Sequence, residues 1–181
     1  MPTNKWTFDT VHSSLAFSVR HLMISKVKGR FDKWSGTLEL DDADPTASRI
    51  SIRIEAASVN TQEQQRDDHL RSVDFFDAGN YPEISFDSTG VKKLSEQNYI
   101  VTGNLGIRGV SREVQVEVEV LGRARDPWGG VRAGFSATTS IDRKDFGLVF
   151  NVPLDGGGVL VGEKVEIVAE LEVVQAVAIG A

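Results

Sequence analysis

The sequence predicts an all-β fold: a single eight-stranded antiparallel barrel, with one short helix around 61–72 and a second helical turn near 142–146. Three observations lead there. Apolar and polar residues alternate at period two over most of the chain. Turn-forming residues punctuate the alternating runs. Helical periodicity is confined to one stretch.

The first long run is SLAFSVRH, where Leu15, Phe17, Val19 and His21 share one face and Ala16, Ser18 and Arg20 the other. GTLEL follows at 36–40. Ile50, Ile52 and Ile54 then alternate with Ser51, Arg53 and Glu55. The runs EISFDS and YIVTGNLGI are shorter versions. Val114, Val116, Val118 and Val120 stand against Gln115, Glu117 and Glu119. The last run sets Val165, Ile167, Ala169, Leu171 and Val173 against Glu166, Glu170 and Glu172, with Val168 breaking the pattern. These are antiparallel strands with one wet and one dry face. Turns are expected at 41–45, 80–82, 96–98, 126–130 and 155–158, all rich in Asp, Asn, Gly or Pro. The helix is expected from Thr61 to Ser72, with Asn60 or Thr61 as N-cap and Glu63 in its first turn.

An open sheet of such strands would leave its dry face in water, so it must close or be covered. Hairpin-like spacing favours an up-and-down barrel over a sandwich. A barrel of this size is just filled by its own side chains or holds one small ligand. Leu, Ile, Val, Phe and Ala dominate the inward set, which suits an apolar ligand better than a sugar or nucleotide.

No Pro-rich or Ser-rich linker divides the 181 residues, so 1–181 reads as one domain. The net charge is −6 with Lys and Arg scattered, which argues against nucleic acid and against long-range attraction to anionic lipid surfaces. Cysteine is absent, which excludes disulfides, thiolate nucleophiles and Cys-ligated metals. No run approaches the roughly 20 apolar residues of a membrane span, and MPTNKWTFDT lacks a signal-peptide core. A cytoplasmic protein is the expectation. Long strand edges and the apolar tail VVQAVAIGA suggest a homodimer.

Candidate chemistry is concentrated in RDDHLRSVDFF, residues 66–76. A catalytic reading would use His69 with Asp67 or Asp68. Neighbouring helical residues point about 100° apart, so these three cannot converge without outside partners. Asp68 and Arg71, at i and i+3, form an ion pair more readily, with His69 and Leu70 turned inward. No catalytic residue is assigned. His12, His21 and His69 lack the spacing of a zinc site, and no metal or cofactor is expected. Gly103, Gly106 and Gly109 do not match the dinucleotide fingerprint and fit bends in a curved sheet.

The stretches FDTVHSSLAFSVRHLM, KGRFDKWSGTLELD, RDDHLRSVDFFDAGNYPEISFDST, VTGNLGIRGVSREV, RAGFSATTSIDRKDFGL and VGEKVEI, in that order, resemble the YceI-like family. That resemblance implies an extended, lipocalin-like barrel whose partner is a long-chain isoprenoid lipid, an isoprenoid quinone or prenyl phosphate. It implies a binding protein and not an enzyme. Many relatives carry a secretion signal, which this chain does not show.

On this footing the barrel lining is expected to comprise Leu15, Phe17, Val19, His21, Phe31, Ile52, Ile54 and Phe86. Val116, Val118, Phe135, Phe146 and Ile167 continue it, and Leu70, Phe75 and Phe76 close one end as a lid. Arg20, His69, Arg108 and Arg143 are the candidate neighbours of a polar head group at the mouth.

Overall fold

The computed structural model describes residues 3–175. The strands are β1 (Asn4–Phe8), β2 (Ser14–His21), β3 (Ser25–Phe31), β4 (Trp34–Leu40), β5 (Arg49–Glu55) and β6 (Val59–Asn60). After the single α-helix, α1 (Gln64–Arg71), come β7 (Glu83–Lys93), β8 (Asn98–Ile107), β9 (Val110–Arg125), β10 (Val131–Asp142) and β11 (Val161–Gln175). The expected turn near 142–146 is a 3₁₀ helix, Arg143–Phe146.

Every pairing is antiparallel, and the ring β1-β4-β5-β7-β8-β9-β10-β11 closes through β11 pairing with β1. This is the eight-stranded barrel the alternation predicts. The remaining strands extend it. Near its end β11 pairs with β1 (Val173 opposite Phe8), whereas Val165–Glu170 pair with β2. β2 carries β3, and β3 carries the two-residue β6. The tail beyond Gln175, invoked for a dimer, lies outside the described residues.

Alternation holds through the wall with one instructive break. Between β9 and β10, Val120 lies opposite Phe135 and Gly122 opposite Gly134, so Leu121 is an extra, bulged residue. It points outward, 58% exposed. The bulge flips the parity and brings Arg123 beside the buried Ala133. At Gly103 a Cβ would meet the Phe86 ring at 2.5 Å, so glycine is what lets that ring lie flat on the sheet.

The helix begins later than the pattern suggests. Asn60 belongs to β6, opposite Arg30, and Gln62 turns the chain at φ 64°. Glu63 caps the helix, its carboxylate accepting from the Gln65 and Arg66 N–H groups. Thr61, the expected cap, instead donates both its N–H and its hydroxyl to Asp67.

Candidate ligand cavity

Two buried clusters lie at opposite ends of the barrel. Trp6, Phe8, Leu38, Leu171 and Val173 belong to one, and Phe75, Ile84, Leu105, Phe146 and Leu148 to the other. Between them runs a cavity of about 790 Å³. Every lining residue named from the sequence stands on its wall. Leu15, Phe17, Val19 and His21 come from β2, Phe31 from β3, Ile52 and Ile54 from β5, and Phe86 from β7. Val116 and Val118 come from β9, Phe135 from β10 and Ile167 from β11. Leu70, Phe75 and Phe76 close one end, with Phe146 beside them.

The interior is hollow because its waist is narrow-chained. Ala137 on β10 lies directly opposite Ala169 on β11, and both line the cavity. Their neighbours in register are Val118 and Leu15. Two methyl groups thus stand where larger side chains would meet and fill the barrel. The one polar wall residue in that stretch of β10, Thr139, donates its hydroxyl to the Gln115 carbonyl at 2.8 Å. The middle of the cavity therefore offers hydrocarbon.

At the lid end, α1 is fastened by its charged residues. Asp67 is buried and accepts from Thr61 N at 2.8 Å and Thr61 Oγ1 at 2.5 Å. Arg66 donates to the Thr61 hydroxyl and carbonyl, and Arg71 to the Ala57 and Val59 carbonyls. Asp68 pairs with Arg71 at 3.0 Å, as its spacing predicts. His69 Nε2 lies 2.8 Å from Asp74, and its ring meets Phe75 and Phe150 edge-on at 5.0 and 4.8 Å. A second aromatic chain, Phe17–Phe31–Phe76, continues the plug. Asp67 and Asp68 are thus engaged away from His69, and the catalytic constellation considered for this stretch does not assemble.

The opposite rim is charged and was not visible in the alternation. Arg123 reaches Asp42 at 2.5 Å and lies 5.2 Å over the Trp6 ring. Asp41, Arg49, Glu96 and Tyr99 complete the rim of the cavity there. The Arg123 guanidinium holds the Asp42 carboxyl below the usual carboxylate value, helped by the Asn4 amide. Only the break in alternation at Leu121-Gly122 hinted that Arg123 turns inward.

Of the four mouth candidates, Arg20 and His69 stand at the cavity. Arg108 does not: it sits at φ 51° in the tight turn between β8 and β9, donating to the Phe75 carbonyl at 2.9 Å. Arg143 touches the cavity but is buried, with its guanidinium spent on the carbonyls of Gly162, Leu148 and Val161. Burial lowers its pKa from the ordinary arginine value. Neither guanidinium is available to a head group.

The three histidines are dispersed. Among the described residues, the metal-capable cluster is Asp9, His12 and Glu172, on the outer wall. Arg132 already occupies it, 2.8 Å from both Asp9 and Glu172 and 3.1 Å from Asp126. Hydrogen bonds from His12 and Arg132 pull the Asp9 carboxyl down to about 2, and Asp9 raises His12 in return. The guanidinium supplies the positive charge a metal would bring, so this is an ion-pair clamp joining β1, β10 and β11.

The family profile described as the YceI-like domain matches residues 6–173. A UPF0312 protein of Pseudomonas savastanoi pv. phaseolicola is 40% identical over 137 residues, covering 76% of this chain and 71% of its own. One from Photorhabdus laumondii is 42% identical over 135 residues, covering 75% and 70%. Among solved structures, a Campylobacter jejuni YceI protein superposes with TM-score 0.75 at 32% identity, covering 87% of this chain and 90% of its own. BcnA of Burkholderia cenocepacia gives 0.78 at 24% identity, covering 91% and 98%. A polyisoprenoid binding domain from Saccharophagus degradans gives 0.67 at 17% identity, covering 94% and 98%. The last two likenesses are of fold.

Proposed function

The chain belongs to the YceI-like domain family, and on that premise we propose that it binds and carries a long-chain isoprenoid lipid inside the barrel, without catalysis. The ligand is of the isoprenoid quinone or prenyl phosphate class. One observation carries this reading: a hydrocarbon-walled cavity of about 790 Å³ running between two differently built ends. Its volume falls within the roughly 300–1,000 Å³ of small-molecule sites. Each methylene buried from water contributes about 0.8 kcal/mol, so a prenyl chain gains affinity without any dedicated polar contact. A polar head group would stand at an end of the cavity, near Arg20 and His69 or near Arg123. A fold neighbour described as a polyisoprenoid binding domain fits the same reading.

The test is direct. Organic extraction of the purified protein followed by mass spectrometry should release a prenyl lipid in near-stoichiometric amount. Ala137→Trp, which fills the waist, should abolish uptake of that lipid while the circular dichroism spectrum stays that of a barrel. An empty extract combined with no uptake of prenyl lipids from detergent would refute the proposal. The alternative of an enzyme would be favoured if His69→Ala removed turnover of a prenyl lipid while binding and folding persisted.

A further inference from the structure

The hairpin joining β2 to β3 carries a combination that packing does not require. Its turn, Leu22-Met23-Ile24, holds Leu22 at φ 52° and Met23 at φ 61°, a region that suits Gly or Asn and not large apolar residues. Ile24 is 80% and Met23 54% exposed, so neither is held there by the core. The strands leading to this tip carry only positive charge: from Thr10 to Phe31 the sequence has Arg20, Lys26, Lys28 and Arg30 and no Asp or Glu. Arg20 and Lys26 stand directly opposite one another, an arrangement that works against strand pairing. Lys26 is tied to Glu166 at 3.3 Å and Arg30 to Asp32 at 2.7 Å, while Arg20 and Lys28 have no ion-pair partner among the described residues. The cavity comes up to the same place. His21, Val27 and Leu160 stand on its wall, and Leu22 N donates to the Leu160 carbonyl.

We infer that the β2–β3 tip docks on the surface of an anionic lipid bilayer, with Met23 and Ile24 entering the interface and Arg20, Lys26 and Lys28 facing the lipid phosphates, so that cargo enters and leaves the barrel beside α1. The net charge of −6 argues against such attraction for the chain as a whole, but the fold gathers an acid-free run at one tip, and it is the local field that meets a surface. The inference rests on the reading of the cavity as a lipid site, since a water-insoluble cargo must be collected from a membrane.

Cosedimentation with vesicles tests it. The unaltered protein should bind vesicles of equimolar phosphatidylcholine and phosphatidylglycerol, release in high salt, and ignore pure phosphatidylcholine. Lys26→Gln with Lys28→Gln should weaken binding about ten-fold or more. Ile24→Trp should show a blue-shifted emission only with the anionic vesicles, which a merely electrostatic contact would not produce. Equal binding to both vesicle types, no binding, or binding untouched by the lysine substitutions overturns the inference. So does self-association abolished by Ile24→Asp, which would assign the tip to a second copy. Uptake from detergent separates this from the cavity reading: the tip variants should take up prenyl lipid from detergent as the unaltered protein does, and slow only in transfer from vesicles. If no variant takes up lipid from detergent, the cavity reading fails, and the vesicle result still judges the tip.

Discussion

The two ends of the cavity are closed by different physics. At the lid end, aromatic rings and a short helix make the plug, and the charged residues of α1 hydrogen-bond mostly to backbone. At the rim end, arginines hold the strands from both sides of the wall, Arg123 from inside against Asp42 and Arg132 from outside against Asp9, Asp126 and Glu172. The lid depends on burial and on satisfied polar groups, which salt leaves alone. The rim depends on charge, which acid and salt both weaken.

That difference can be broken from the lid side with the largest effect. Phe146 is 1% exposed at the centre of the lid-end cluster. Phe146→Ala should lower the unfolding free energy by about 3–5 kcal/mol, read as a shift of the urea midpoint with unchanged slope. Asp67→Ala should come next. It strands the buried N–H and hydroxyl of Thr61, at about 1–3 kcal/mol. Hydrogen exchange should show the loss first in α1 and β6, with β9 and β10 amides still protected.

Acid should separate the ends in the opposite sense. Asp9 titrates at about 2 in the folded chain against an ordinary 3.8. A carboxyl depressed by folding contributes stability that is present above its ordinary value and lost as pH falls through its folded one. The rim should therefore loosen between those two values, seen as lost exchange protection in β1 and at the start of β10. Asp9→Asn should remove that step from the acid titration. His12 carries the reverse sign: it is raised by Asp9, so its small contribution fades as pH climbs past its ordinary value. The smallest effect is expected from Arg123→Ala, about 0.5–1 kcal/mol for an exposed cation over an aromatic ring. Most of it should vanish when wild type and variant are compared in high salt. A lid variant that proved equally salt-sensitive would show that the two ends are not built differently.

How much of this was legible beforehand can be judged residue by residue. Leu15, Phe17 and Val19 announce an inward face by spacing alone, because side chains on a strand alternate whatever the strand pairs with. Asp68 and Arg71 announce their pair by helical spacing. Asp67 does not announce that it caps Thr61, since the chain bends at Gln62 before the helix begins. Arg108 and Arg143 looked like free cations at the mouth because sequence records a charge and not the carbonyls that fold around it. Arg123 was invisible because one bulged residue, Leu121, reverses the parity of everything after it.

Sequence by itself determined that this chain closes into a barrel with a dry interior: period-two alternation over so many strands leaves no other way to keep one face from water. It also determined where the lid residues lie along the chain. Only the tertiary structure decided that the interior is hollow. That depends on Ala137 meeting Ala169 across two strands, and register is a property of a pair that neither strand carries alone. Tertiary structure likewise decided that one end is closed by grease and the other by charge, because pairing β11 with both β1 and β2 is what places Arg132 and the aromatic lid at opposite ends of one cavity.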